Sequence, residues 1–412
     1  MKDKIGIFIE LFIYKCIEEI IYILKCGEGN ILKKYVFYIT FCFSLLCILF
    51  KFNVLADEPK LDSSSAIVID NMTGRTLFEK NSNSRASIAS LTKVMTSIML
   101  VTNCKIDEKI PIPQSVKYIG GSLAGLKAGG SIRAEDLLYA MLLPSGNDAA
   151  YTVGYHIGNG DIKNFASLMT NKAKKLGAND TSFENPHGLD SENHFSTASD
   201  VAKITRAALK NEYINRAVST KSKTIDIGGS RKILNNTNAL LRTYEYADGV
   251  KTGFTNDAGR CLIASATKDE RRFIAVVLGA DTTKIRFEEA KEILNYCFDN
   301  YKYVDISDYL KIYVKIPIIK GNKEYYESKE EYSIKVPLKE GEYEKIYVKQ
   351  EFEKCLVAPV IAGTKIGKIK VYIDEEVIYE EDIYLNENIN KKNMICYINE
   401  AFYNMFDEYS KI

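Results

Sequence analysis

Residues 66–80, AIVIDNMTGRTLFEK, set two short apolar runs on either side of an Asn- and Gly-containing turn. The segment predicts a hairpin, with strand 66–70, turn 71–74 and strand 75–79, because Asn and Gly tolerate the backbone that a tight turn needs. Its sheet partners must come from far along the chain. The next strand-like runs are 249–255, CLIASAT at 261–267 and RFIAVVLGA at 272–280. Between them apolar residues recur at helical spacing: Leu91, Val94, Met95, Ile98 and Leu100 after Ser90, then 134–157, 161–176 and 197–211, with 286–298 closing the region. Strands at both ends and helices between predict an α/β (α+β) sandwich, its first hairpin and last strands sharing one antiparallel sheet flanked by helices.

From about residue 305 the texture changes. KIYVKIPII, YSIKVPL, KIYVKQEF, CLVAPVIAGTKIGKIKVYI and EVIYEEDIYL alternate apolar and polar residues between Gly-, Asn- and Lys-rich turns. That pattern predicts a small all-β C-terminal domain. The last stretch places Ile395, Ile398, Phe402, Met405, Phe406 and Tyr409 on one helical face. Its charges nearly cancel, so anionic lipid adds little, and we expect peripheral contact with the outer face of the cytoplasmic membrane.

The N-terminus reads as an export signal. Lys33 and Lys34 precede an apolar run at 35–50, and Val54 and Ala56 supply small or branched residues before Asp57. The run is short for a bilayer span. Residues 5–26 are apolar but carry Glu10, Lys15, Glu18 and Glu19, and we expect translation to start near residue 31 at a non-ATG codon. The expected organisation is an extension at 1–30, a signal peptide at 31–56, a catalytic domain at 57–300, a β-rich domain at 301–388 and an amphipathic helix at 389–412.

A chain of 412 residues with net charge +1 gives no electrostatic reason to expect a nucleic-acid partner. The cysteines beyond the leader, Cys104, Cys261, Cys297, Cys355 and Cys396, share no metal-type spacing. They are expected to be free and mostly buried.

The chemistry concentrates in RASIASLTKVMTSIMLV at 85–101, where Ser90 and Lys93 sit one turn apart at the start of an apolar helix. Residues i and i+3 share a helix face, so the Lys93 amine can reach the Ser90 hydroxyl. A second Ser-x-x-Lys, Ser265 to Lys268, falls in a strand-like run where the two residues point to opposite faces. The structural alternative for Ser87, Ser90 and Thr92 is helix capping. Two further motifs weigh against it: Ser145, Gly146 and Asn147 in LLPSGNDAA, and Lys251, Thr252 and Gly253 in ADGVKTGFTNDAG.

Ser-x-x-Lys, Ser-x-Asn and Lys-Thr-Gly in that order resemble the signature set of penicillin-binding proteins and serine β-lactamases. AIVIDNMTGRTLFEK, ASLTKVMT, GGSLAGLKAGG, NPHGLD, STASDVAKI, DGVKTGFT and APVIAGTKIGKIKVYI look like the low-molecular-weight D-alanyl-D-alanine carboxypeptidases of the serine S11 type. The resemblance implies that Ser90 is the nucleophile and Lys93 the general base. To act at neutral pH, Lys93 must titrate roughly 3 pH units below the usual 10.4. Burial and the Lys251 cation both push it down. The resemblance further implies Ser145 as proton relay, Asn147 as holder of the substrate amide, and Lys251, Thr252 and Gly253 as the carboxylate-binding strand. Backbone N–H groups of Ser90 and Phe254 would form the oxyanion hole. Some relatives carry histidine at the position of Phe254. Arg286 stands where the family can place a carboxylate-binding arginine, or is an exposed helix-start residue. The implied partners are peptidoglycan stem peptides and β-lactam antibiotics, with no cofactor.

Rival readings are a serine β-lactamase and a non-catalytic penicillin-binding scaffold. Gly146 stands where class A lactamases carry aspartate, no deacylating glutamate stands out, and those enzymes lack an appended β domain. A scaffold predicts loss of Ser90 or Lys93, and both are present. A metal hydrolase could use His187, Asp190 and His194 of HGLDSENH. That stretch is turn-rich and fits the rim of a serine-enzyme cleft, so no catalytic metal is expected.

Overall fold

The computed structural model describes residues 58–227, 229–395, 397–398 and 402. The expected leader and the extension before it lie outside these residues. In chain order the elements of the first region are β1 (Ser65–Asp70), β2 (Thr76–Lys80), α1 (Lys93–Asn103), β3 (Lys109–Pro111), β4 (Ser131–Arg133), α2 (Ala134–Leu142), α3 (Asn147–Ile157), α4 (Ile162–Lys175), α5 (Ala198–Leu209) and α6 (Glu212–Ser219). There follow β5 (Ser222–Ile227), β6 (Ser230–Asn235), α7 (Leu240–Thr243), β7 (Ala247–Thr255), β8 (Gly259–Lys268), β9 (Arg271–Ala280) and α8 (Thr283–Asn300).

The first hairpin joins the last three strands, as the sequence predicts, in an antiparallel sheet ordered β2-β1-β9-β8-β7. Both faces of this sheet are covered. Ile67 and Ile69 pack toward the core that contains α1 and α2, whereas Ala66 and Val68 pack toward α8 through Ala290, Ile293 and Leu294. Burial on both sides explains why β8 and β9 read as continuous apolar runs rather than alternating ones. Strand β7 is an edge, so one row of its backbone groups is left outside the sheet's own pairing.

Local chemistry sets three differences from the sequence reading. The 134–157 signal is two helices, broken before Asn147. The 197–211 signal covers α5 only, and α6 follows with a cap of its own, the Asn211 carboxamide accepting from the N–H groups of Tyr213 and Ile214. Hairpins β3–β4 and β5–β6 are short and partly polar, and their alternation was too weak to stand out. The capping role for Ser90 and Thr92 is absent: no side chain caps α1, and the Thr92 hydroxyl donates to the Ala89 carbonyl at 2.8 Å.

The second region holds β10 (Lys302–Asp305), β11 (Lys311–Ile319), β12 (Tyr325–Glu331), β13 (Lys335–Leu338), β14 (Ile346–Phe352), β15 (Leu356–Val357), β16 (Lys365–Ile373) and β17 (Glu376–Tyr384). They form sheets β12-β11-β15, β14-β16-β17 and β10-β13. Inward residues such as Ile312, Val314, Ile316, Ile369 and Val371 make a separate core. Strand β12 was missed because YYESKEE buries only Tyr326. Beyond it, Met394, Ile395, Tyr397, Ile398 and Phe402 are helical and exposed, while Met405, Phe406 and Tyr409 lie outside the described residues. Among the described residues no helix is long and apolar enough to cross a membrane. Cys104, Cys261, Cys297 and Cys355 are free, but only Cys261 and Cys297 are fully buried.

A buried arginine ties the two regions. Arg75 donates to the Pro337 carbonyl at 2.6 Å, takes Glu342 through both terminal nitrogens at 2.8 Å, and reaches Glu376 at 3.2 Å. Tyr301 donates to the Leu77 carbonyl at 2.8 Å, and Tyr303 bonds Asp70. Glu342→Gln leaves a desolvated guanidinium short of its main partner. We expect a loss of about 3 kcal/mol in urea unfolding, with penicillin acylation of the folded fraction unchanged.

Candidate active site

Three segments converge on one point. The first is a 3₁₀ turn, Ala89–Thr92, that leads directly into α1. Ala89 has φ of 47°, a left-handed conformation uncommon for a residue with a side chain. Gly188 explains how that turn is held: a Cβ built there would come 1.8 Å from the Ala89 carbonyl oxygen, at φ of +87°. The chain at 188 thus presses on the residue before Ser90. Gly188→Ala is expected to displace the turn and to slow penicillin acylation about 100-fold, measured by stopped-flow, since misplacement by roughly 1 Å costs that much.

Lys93, on the first turn of α1, is wholly buried and points at three acceptors. Its amine donates to Ser90 Oγ at 2.8 Å, Asn147 Oδ1 at 2.7 Å and the His187 carbonyl at 2.7 Å. Burial lowers its pKa well below the usual lysine value; the Lys251 charge pushes the same way, and Asp148 opposes both.

The second segment is the break before α3. Ser145 is buried with φ of 66°, and a Cβ at Gly146 would lie 2.7 Å from the Ala140 carbonyl and 2.8 Å from the Ala124 Cβ. That space admits only glycine between Ser145 and Asn147, which accounts for the absence of an aspartate there. Asn147 donates through Nδ2 to the Gly120 carbonyl at 2.8 Å. Asp148 was not singled out from the sequence, yet its carboxylate gathers the N–H groups of Ala124, Gly125 and Leu126 at 2.7–2.9 Å. It shapes the GGSLAGL loop beside the site. Its position directly after the Ser-x-Asn motif was the available signal.

The third segment is edge strand β7. A Cβ at Gly253 would fall 3.1 Å from the Ile88 carbonyl and 3.3 Å from the Ser90 nitrogen, so glycine lets the strand lie against the nucleophile's backbone. Lys251 is buried, and its amine donates to the Thr252 carbonyl at 2.8 Å. Burial, then the Arg286 charge, lower its pKa to about 7. The Thr252 and Thr237 hydroxyls bond each other at 2.7 Å. Burial thus disfavours the charged form of both amines, and the Lys251 charge adds to the effect on Lys93.

Phe254 is 49% exposed at the rim, with the Arg260 guanidinium 3.7 Å above its ring. Arg286 is not the exposed helix-start residue that the bland reading expects. It is buried, and Nη1 donates to the Gly253 carbonyl at 3.0 Å and the Cys261 carbonyl at 3.3 Å, bracing β7 from behind.

His187, Asp190 and His194 serve separate partners. His187 Nδ1 accepts from the Leu189 N–H at 3.3 Å, and burial, with Lys93 nearby, lowers its pKa to about 3. His194 accepts from the Glu184 N–H at 3.1 Å and meets the Thr92 hydroxyl at 2.8 Å; burial lowers its pKa to about 4. Asp190 accepts from Thr255 at 2.6 Å. Ser265 of the second Ser-x-x-Lys bonds Asp248 inside the sheet, away from this cluster.

An antiparallel sheet backed by helices, with a lysine-paired serine beside its edge strand, defines the penicillin-recognising serine hydrolases. Residues 53–282 match the model of the D-alanyl-D-alanine carboxypeptidase family S11, and residues 301–391 match the C-terminal domain of penicillin-binding protein 5. The D-alanyl-D-alanine carboxypeptidase DacF of Bacillus subtilis is 33% identical over 84% of this chain and 89% of its own. Among solved structures, penicillin-binding protein 5 of Haemophilus influenzae aligns with a TM-score of 0.65 at 27% identity, covering 82% of this chain and 100% of its own. DacD of Francisella tularensis aligns with a TM-score of 0.62 at 27% identity, covering 84% and 98%. The chain belongs to the D-alanyl-D-alanine carboxypeptidase family.

Proposed function

We infer that this protein is a serine D-Ala-D-Ala carboxypeptidase that removes the terminal D-alanine of peptidoglycan pentapeptides and is acylated by penicillin at the same serine. One observation carries the reading: a buried amine, its pKa lowered, stands 2.8 Å from the Ser90 hydroxyl. Lys93 takes the hydroxyl proton as Ser90 Oγ attacks the carbonyl between the two D-alanines. The oxyanion forms against the backbone N–H groups of Ser90 and Phe254. Ser145 passes a proton to the departing D-alanine amine, which leaves an ester on Ser90. Water then hydrolyses that ester and restores the hydroxyl. Asn147 holds the substrate amide, and Lys251 with Thr252 binds the terminal carboxylate. Arg286 braces the strand and adds positive field behind it. The open edge of β7 suits an extended peptide.

Measuring D-alanine released from a pentapeptide, beside β-lactam turnover, tests this. Release of D-alanine with a long-lived penicillin adduct supports the reading. Rapid β-lactam turnover without D-alanine release would make the protein a lactamase, and neither activity would leave a scaffold.

We further propose that residues 31–56 direct export and that the terminal segment rests on the outer face of the cytoplasmic membrane. Met394, Ile395 and Ile398 support this, being 80%, 66% and 50% exposed. Deleting 390–412 is expected to move the protein from the membrane pellet to the soluble fraction, and retention in the pellet would refute the attachment.

A further inference from the structure

Away from the cleft, three side chains of metal-binding type converge. Cys104, Glu108 and His156 each offer one ligand atom, and the three atoms lie within 4.8 Å of one another. Cys104 and Glu108 lie four residues apart, and His156 joins them from a separate helix. Cys104 ends α1, its N–H donating to the Leu100 carbonyl at 2.9 Å. Glu108 lies in the turn before β3, and its carbonyl accepts from the Ala134 N–H at 2.8 Å, which ties that turn to the start of α2. His156 occupies the last turn of α3. His156 Nε2 is 3.4 Å from Glu108 Oε1, while the other carboxylate oxygen accepts the Lys105 N–H at 3.2 Å.

We propose that Cys104 Sγ, Glu108 Oε1 and His156 Nε2 form a zinc site, with water in the fourth position. The donors fit: thiolate, imidazole and carboxylate together suit zinc, whereas magnesium and calcium take oxygen alone. The spacing fits as well. Ligands at roughly 2.0–2.3 Å from a tetrahedral ion stand about 3.3–3.8 Å apart, so the His156–Glu108 pair is already at ligand distance. The sulfur has only a short way to close. A peptide N–H holds the carboxylate's second oxygen, as an outer partner of a metal ligand does. All three residues are partly exposed, so an ion can enter.

Burial, then Glu108, raise the Cys104 thiol to about 11, so an entering ion must displace its proton, and the helix ends help to offset that cost. Helices α1 and α3 both end here, and a helix C-terminus carries partial negative charge that favours a cation. The same two helices carry Lys93 and Asn147 on their first turns. A bound ion therefore clips together the far ends of the two helices whose near ends build the reactive cluster. Its role is to hold their relative position. The ion lies outside the acyl-transfer chemistry.

The test uses the purified protein, stripped with chelator and then titrated with Zn²⁺ against a chromophoric competitor. A parallel titration uses Co²⁺, whose thiolate charge-transfer and tetrahedral bands report the ligand set. The expected result is one ion per chain, a sulfur-to-cobalt band that Cys104→Ser abolishes, and zinc affinity lowered at least roughly tenfold by His156→Ala and by Glu108→Gln. Zinc should also raise the unfolding midpoint of the wild type and not of the variants. Fluorescent penicillin labelling checks that each variant is folded, since none of the three residues touches the catalytic cluster. Absence of stoichiometric zinc binding, or the same binding in all three variants, would overturn the proposal and leave a His156–Glu108 pair with a bystander thiol.

Discussion

Ser90→Ala is expected to lose fluorescent-penicillin labelling altogether and to slow D-alanine release by at least about 10⁴-fold. The hydroxyl is the atom that bonds to the acyl group, and no neighbour can substitute for it. Ser145 is buried on left-handed backbone in another segment, and Ser265 is bonded to Asp248 within the sheet. The fold should persist. The Ser90 hydroxyl is one of three acceptors for Lys93, and the amine keeps Asn147 and the His187 carbonyl. An unchanged circular dichroism spectrum beside absent labelling separates lost chemistry from lost structure. Equal labelling of wild type and variant would remove Ser90 as nucleophile.

Lys93→Met is the second large effect, and it has two readouts. Acylation is expected to fall by about 10³-fold or more, the contribution of a positioned general base. Lys93→Arg should fare no better, because a guanidinium cannot give up its proton at working pH. The second readout is stability against pH. Burial lowers the Lys93 pKa in the fold, whereas the unfolded chain keeps the ordinary lysine value of 10.5. Between those values the unfolded state binds the extra proton. Stability is therefore full above about 10.5 and is lost as pH falls toward the lowered folded value. Lys251, at about 7 in the fold, acts in the same direction between about 7 and 10.5. Wild-type stability should rise with pH across that window, measured by urea unfolding. Lys93→Met should show a shallower rise. An identical slope would mean that the Lys93 amine titrates normally in the fold. Activity should also fall as pH drops through the lowered folded pKa of Lys93, because a proton on that amine removes the base.

Much of the sheet was legible because its residues carry local information. The 66–80 hairpin shows its turn residues, and the central strands are long apolar runs bounded by turns. Where local information was thin, the reading failed: β12 buries a single tyrosine, and the eight-residue α6, directly after the 197–211 signal, was not read. The candidate site was legible for a different reason. Ser90, Lys93, Ser145, Asn147, Lys251 and Thr252 lie in three short motifs, and each motif keeps its residues together at one turn or one strand. Residues that act from outside those motifs were harder to read. Asp148 matters through the loop it gathers and Gly188 through the carbonyl beneath it, while Arg286 stood out for carboxylate binding and its bracing of β7 did not.

The sequence by itself determined which groups would do chemistry and roughly which elements would carry them, because helix period, strand alternation and turn chemistry are properties of neighbours in the chain. Only the tertiary structure decided that the Lys93 amine is buried beside a second cation, that β7 is an edge lying against Ser90, and that α1 and α3 finish at Cys104, Glu108 and His156. Those facts depend on desolvation and distance, and both arise when segments up to about two hundred residues apart are packed together. No spacing along a chain encodes a dielectric environment.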